Sequence, residues 1–379
     1  MSVKSSAVAA TLTATIAFAP SAGAEVLFIP GTGSSKPTAA NATTLGWLDD
    51  GRYGSGPAYC MCNSHDYPAR LGPGEGQESI DRGTESTVQF LLAHPDVDEV
   101  VGGSQGAMVA YQAVADPRLA GRHLSVRLYA DPYTPGTGAV SRVPNGWDVP
   151  ATGLKGGVPQ QPGPDVTVTS VSHKWDPVAY FPRYQWTYAW TLPTAALGFI
   201  VYHGALGGPY GAMGIDYTNA TVTHNGNETL IRINDKLTPY GQLAVIVATA
   251  VGGPQAGRVV GTLIKPLDDI ADGFLSMGGQ WDKGVATPVP TPQVAVKQVQ
   301  GVVNGFVRAA QDFAAIPQRL NQPVKKPTPV AAITPAKKPK KPQSNPVNDT
   351  TKTVRGAINN TIKTWAPKPK PQKKSGAVK

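Results

Sequence analysis

The stretch Gly102-Gly103-Ser104-Gln105-Gly106 fits the pattern G-x-S-x-G, and its surroundings give the match chemical meaning. Before it runs Val97-Asp98-Glu99-Val100-Val101, a short apolar segment that begins just after Pro95. After it runs Ala107 to Ala115, a good helix former that stops at Asp116-Pro117. Strand, sharp turn and helix form the setting in which a serine Oγ is lifted above a sheet for nucleophilic attack. Such a turn is crowded, and glycine at 102 and 106 suits it. The N–H of Gln105, at the helix start, is a candidate donor to a developing oxyanion. In a chain with 42 glycines the string alone is a weak signal; the strand and helix around it give it weight.

A serine nucleophile needs a general base, and the base needs an acid that holds its tautomer. On a strand–serine–helix scaffold the chain order is serine, acid, histidine. His65 and His94 precede Ser104, and His123 follows it by only 19 residues. His173 stands beside Asp176, an acid that should precede its base, and His224 falls in an expected hairpin. His203 is left, before Gly204 in a segment that also holds Gly207 and Gly208. The acids between Ser104 and His203 are Asp116, Asp131, Asp148, Asp165 and Asp176. Asp131 and Asp176 fall just beyond expected strands, where a sheet-borne acid belongs, and order alone leaves both open. Cys60 and Cys62 are separated by one residue, a spacing that gives no reason to count on a disulfide. Two thiols without a partner pair fall short of a four-ligand metal site, so neither metal nor cofactor is expected.

The elements that must position these groups follow from the apolar pattern. Glu25 to Ile29 is a β-type run that enters Pro30-Gly31-Thr32-Gly33-Ser34. Arg82 to His94 reads as a helix with Val88, Leu91 and Leu92 on one side, and Ser125 to Ala130 and Asp165 to Ser172 read as strands. Strands interleaved with helices predict an α/β-hydrolase-type, mostly parallel sheet with helices on both faces. Trp186 to Tyr202, aromatic and aliphatic, is expected to form a helical cap. A hairpin is expected from Ala220 to Thr223, through Asn225-Gly226-Asn227, into Glu228 to Ile233. Leu243 to Val251 is an apolar run of core size. After the proline-rich Thr287 to Pro292, the spacing of Val296, Val299, Val303, Phe306, Ala310 and Phe313 predicts an amphipathic helix.

With 379 residues, 41% of them hydrophobic, the chain can hold one domain of roughly 250 residues plus tails. Lys4, the uncharged Ala7 to Ala19 and the small-residue site Ala22-Gly23-Ala24 read as a signal peptide, with a retained anchor as the alternative. The formal charge of +9 is uneven: Pro323 to Lys379 holds 14 Lys/Arg against the single acid Asp349, a net +13, and the rest carries −4. The expected organisation is a signal over 1–24, a hydrolase-type domain over 25–284, a proline-rich linker and amphipathic helix over 285–322, and a disordered Lys/Pro-rich tail over 323–379. The expected location is secreted or envelope-associated. The tail would attract an anionic cell-wall or membrane surface. With Trp365 as its sole aromatic it offers no base readout, so nucleic acid is not the expected partner.

The core resembles the PE-PPE domain family of mycobacterial serine hydrolases over roughly residues 25 to 280. The resemblance lies in the order and spacing of Ile29-Pro30-Gly31-Thr32-Gly33, Gly103-Ser104-Gln105-Gly106-Ala107, Ala130-Asp131-Pro132, Arg142-Val143-Pro144-Asn145-Gly146, Trp175 to Pro182, Tyr202-His203-Gly204, Glu228 to Arg232 and Leu237-Thr238-Pro239-Tyr240. It implies a Ser104, Asp176 and His203 triad and puts Asp131 at a turn outside it. It also implies that the Gly31-Thr32-Gly33 loop, through Thr32 or Gly33, supplies a second oxyanion N–H beside Gln105. The activity implied is that of an esterase or acyltransferase on a lipid ester or acylated sugar, since the family includes enzymes that move acyl chains between trehalose lipids. The chain departs from the family in carrying a signal-like peptide in place of a helical PE or PPE module, and in its basic tail. The cutinase and mycolyl-esterase group of phage lysins also uses Gly-x-Ser-Gln-Gly, but cutinases usually keep acid and histidine closer than the 27 residues found here. A non-catalytic envelope-binding protein that works through its tail is the reading from another class.

Overall fold

The structure is a computed structural model that describes residues 25–33, 58–62, 65–204 and 217–322. The expected signal peptide and basic tail lie outside the described residues. In chain order the elements are β1 (Glu25–Ile29), β2 (Ala58–Cys60), α1 (Gly76–Ala93), β3 (Val97–Gly103), α2 (Gln105–Val114) and β4 (Leu124–Tyr129). A two-residue ladder follows, β5 (Asp148–Val149) with β6 (Leu154–Lys155), then β7 (Val166–His173) and α3 (Tyr188–Gly198), which runs into a π-helical turn at Phe199–His203. The hairpin β8 (Ala220–Asn225) and β9 (Glu228–Ile233) precedes two long helices, α4 (Pro239–Leu275) and α5 (Pro292–Asn321).

Seven strands form one sheet in the order β2-β1-β3-β4-β7-β9-β8. Every neighbouring pair is parallel except β8 with β9. This is the α/β-hydrolase-type sheet that the strand and helix pattern predicts. The period of two is visible in β1: Leu27 and Ile29 enter a core with Ile80, Val88 and Leu91 of α1 and Met108 and Val109 of α2, while Val26 and Phe28 join Val101, Tyr129, Val171 and Ile231 on the opposite face. Central strands β3 and β7 are buried along most of their length, although β7 alternates Val166, Val168 and Val171 with Thr and Ser. A third cluster, Trp175, Val201, Tyr202 and Leu275, sits where the chain leaves β7 and gathers α3 and α4.

Two features depart from the sequence expectation. The sulfurs of Cys60 and Cys62 are in bonding contact. The chain bends as it leaves β2, which brings their Cα atoms to 5.2 Å, inside the range a disulfide spans. The run Leu243 to Val251 is only partly core: Leu243 and Ile246 pack on the third cluster, while Val247 and Val251 are exposed.

Arg142 ties the loop after β4 to the chain that follows α4. Its side chain is fully buried and donates to the carbonyls of Gly136, Phe181, Gly279, Gln280, Asp282 and Gly284 at 2.5 to 3.1 Å. Burial pushes its guanidinium down, to about 10, so it stays charged at neutral pH. The proline-rich stretch beyond is tied down as well, with Gln185 N–H on Thr287 O (3.0 Å) and Trp186 N–H on Pro288 O (3.1 Å). Arg142→Met leaves these carbonyls without their donor in a dry site. The expected loss is about 3 kcal/mol or more of unfolding free energy, measured by urea denaturation; a variant as stable as wild type would show that the knot is dispensable.

Candidate active site

The serine turn is strained. Ser104 stands at φ 54° and ψ −121°, a region that costs a non-glycine residue about 1–3 kcal/mol. Packing holds it there. The Ser104 N–H donates to Tyr129 O of β4 at 2.9 Å. A Cβ on Gly102 would lie 2.5 Å from Gly106 O, and one on Gly106 would overlap the Ile29 carbonyl, so both positions exclude a side chain. The loop after β1 passes close by: a Cβ on Gly31 would sit 3.1 Å from Ser104 Cβ and 3.7 Å from its Oγ.

Ser104, His203 and Asp176 form a continuous hydrogen-bonded series. His203 Nε2 lies 2.8 Å from Ser104 Oγ, and its Nδ1 lies 3.1 and 3.0 Å from the two carboxylate oxygens of Asp176. Asp176 has no exposed surface, and its Oδ1 also accepts the Val178 N–H at 2.9 Å. The π-helical turn that ends at His203 is pinned by its neighbour Tyr202, whose hydroxyl donates to Leu237 O at 2.8 Å and whose ring stacks on His173 at 5.6 Å. On the outer side, Phe199 stacks on the His203 ring at 4.6 Å and remains 44% exposed. Ser104 and Asp176 follow the C-terminal ends of β3 and β7, where open α/β sheets bind ligands.

The Gln105 N–H is in the first turn of α2, where no intrahelical acceptor exists, so it can donate to an anion beside Ser104. Gly33 cannot do the same, because its N–H already donates to Ala69 O at 2.8 Å; the chain at Ala69 (φ 51°) turns that carbonyl toward the loop. Thr32 remains as the loop's candidate donor. The Gln105 side chain, 2% exposed, takes a hydrogen bond from Tyr67 Oη at 3.1 Å and gives one to Arg70 O at 2.7 Å. One residue therefore joins the serine turn to the segment that holds the glycine loop. This link was invisible in the sequence, because its partners stand 35 and 38 positions away.

The other candidates go elsewhere. His173 pairs with Asp235 at 2.6 Å, His65 with Asp66, His94 with the Phe90 carbonyl, and His224 with Thr229. His123 lies 3.9 Å from Asp165 on the surface. Asp131 is buried, and its Oδ1 accepts the Tyr133 N–H at 2.9 Å. Burial, with a smaller push from the Glu228 charge, raises its carboxyl to about 7 against the opposing Tyr133 hydrogen bond. Among the described residues no group of three or more His, Cys, Asp or Glu could hold a metal ion.

Asp131 gives a pH test of its own. Folded, it keeps its proton up to about pH 7; unfolded, an aspartate releases it near ~4. The native state binds the extra proton between those values, so stability falls as pH rises through that window and levels off above it. Asp131→Asn should remove this fall, leaving the variant more stable than wild type at pH 8 by urea denaturation, with hydrolytic activity retained. Loss of activity on a folded Asp131→Asn protein would return this residue to the site.

Residues 66–249 match the PE-PPE domain family. A search of curated proteins finds no match. Solved structures that are matched include RedJ with a PEG molecule bound in the active site, at 16% identity, with 42% of this chain and 77% of that one covered and a TM-score of 0.26. A second is the RedJ thioesterase from the prodiginine biosynthetic pathway in Streptomyces coelicolor, at 17% identity, 47% and 75% coverage and a TM-score of 0.27. Likeness at that level carries no weight beside the sheet order and the family match. Residues 66–249 are a PE-PPE domain, a match that supports a hydrolase of the lipase and esterase type.

Proposed function

We propose that this chain is a secreted serine esterase or acyltransferase that acts on lipid esters through Ser104, His203 and Asp176. The observation that carries the proposal is the unbroken series Oγ to Nε2 and Nδ1 to carboxylate on a strained serine turn. His203 Nε2 takes the Ser104 proton as Oγ attacks the ester carbonyl. Charge on the carbonyl oxygen is met by the N–H groups of Gln105 and Thr32. His203 then gives its proton to the departing alkoxide, leaving an acyl-serine. Water or a sugar hydroxyl attacks this ester in turn, His203 takes the attacker's proton, and Ser104 recovers it as the product leaves. Asp176 keeps the imidazole in the tautomer with Nδ1–H and steadies the imidazolium.

A lipid substrate is supported by what surrounds the base. Phe199 covers the His203 ring while remaining exposed itself. An apolar flank beside a polar relay suits an acyl chain better than a charged ester. Export rests on the signal-like residues 1–24. Ser104→Ala should abolish turnover of a short p-nitrophenyl ester, and Asp176→Asn should lower kcat by about 10³–10⁴-fold with the fold intact. Asp176→Asn turnover within tenfold of wild type would remove Asp176 from the mechanism.

A further inference from the structure

From Pro239 to Gly257 the chain holds no charged residue, and among the described residues Pro239–Gly278 is long and apolar enough to cross a membrane. It does not run straight. At Gly253 (φ 79°, ψ 179°) the backbone leaves helical geometry and α4 folds back on itself. A Cβ on Gly261 would lie 3.1 Å from Val245 Cγ2, and one on Gly257 would collide with Thr249 Oγ1, so the two halves run side by side in opposite directions. Helix α5 returns along the second half: a Cβ on Gly305 would meet Asp269 O at 2.7 Å, and Arg258 donates to the carbonyls of Leu320 and Gln322. The result is a three-helix arm with Val251, 87% exposed, and the end of α5 at the same tip. Its base adjoins the candidate site, because Leu243 and Ile246 pack on the cluster that holds Val201 and Tyr202, the two residues before His203.

A continuous aromatic surface runs from the cap helix across the base of the arm. Trp186 meets Trp190 edge-on at 5.3 Å. Trp190, Tyr240 and Phe274 line an apolar cavity of about 340 Å³, and Phe274 meets Phe306 of α5 at 6.2 Å. All five rings are between 37% and 50% exposed. The acids of the arm are engaged: Asp268 with Thr238, Asp269 with Lys265, Asp272 with Lys174 and Arg308, and Asp312 with Arg319. Immediately after Gln322, at the tip, begins the sequence with a net charge of +13, and Lys325-Lys326 opens it.

We propose that this arm docks on an anionic lipid bilayer, its aromatic surface in the head-group layer and the basic chain from Pro323 onward against the lipid phosphates. Amphipathic rings favour the interface between water and hydrocarbon, and a cationic segment that continues a helix bearing part of an apolar surface is a pairing that retains a protein on anionic lipid. The surface stands apart from the catalytic series and needs none of its residues.

The test is flotation of the full chain with phosphatidylcholine vesicles, with and without phosphatidylglycerol. The full chain is expected to float with the phosphatidylglycerol vesicles and to bind neutral ones far less. The double variant Phe274→Ser with Phe306→Ser should lose about tenfold or more of that binding. Removal of Pro323 to Lys379 should weaken it more at low salt than at high salt. Turnover of a soluble short ester, read on the same samples, should stay at the wild-type level; it reports folding and separates this proposal from the esterase reading. Vesicle binding unchanged in the double variant, or equal binding to neutral and anionic vesicles, overturns the proposal. So does a dimer in sedimentation that the two substitutions dissolve while vesicle binding is absent, since the surface would then belong to a second copy of the chain.

Discussion

The backbone at Ser104 cannot relax. At φ 54° and ψ −121° the residue occupies a conformation that an isolated serine avoids, and three packed backbones leave it no other. Gly102 touches Gly106, Gly106 touches the end of β1, and the Ser104 amide is held by β4. Only a parallel order with β1 and β4 on either side of β3 brings those backbones together. The sheet and the serine turn are thus one structural problem: the strands create the crowding, the glycines permit it, and the strain lifts Oγ clear of the sheet. Stored strain of this kind persists where the surroundings over-determine it.

The rest of the site is built around that fixed point. Asp176 follows β7, two strands from β3, and is wholly buried, so the His203 ring is its means of meeting solvent-facing chemistry. His203 comes from a π-helical turn instead of a strand end, and turns of that kind in helices often mark functional positions. Its orientation is secured from behind by Tyr202 on His173 and from outside by Phe199. The buried His173–Asp235 pair at 2.6 Å is part of the wall against which Tyr202 packs. Two His–Asp pairs therefore lie close together, and the His203–Asp176 pair is the one that reaches Ser104 Oγ.

Much of this was legible in the chain because the physical demands are local. Gly102 and Gly106 flank a serine between a β-run and a helix former, and the structure sets β3, Ser104 and α2 in that order. Strand β7 shows itself by its alternation of valine with Thr and Ser, and β9 by the turn at Asn225-Gly226-Asn227 that precedes it. The start of α1 at Gly76, ahead of the expected Arg82, was hidden by glycines that argue against a helix, yet a Cβ on Gly76 would collide with Thr152 O, so tertiary contact overrides propensity there. The Gln105 links to Tyr67 and Arg70, the Ala69 turn that occupies the Gly33 amide, and the Cys60–Cys62 contact depend on how distant segments meet, for which a linear pattern carries no signal. The run Leu243 to Val251 reads as core from its composition, yet Val247 and Val251 are exposed: apolar composition reads as core whether protein or something else covers it.

The central claim is that Ser104 is the nucleophile that becomes acylated. Its most direct test is peptide mapping by mass spectrometry after reaction of the folded full chain with a fluorophosphonate. The account predicts one adduct, on the peptide that holds Ser104, and none in Ser104→Ala. An adduct on a different serine, or none at all on folded wild-type protein, would contradict it.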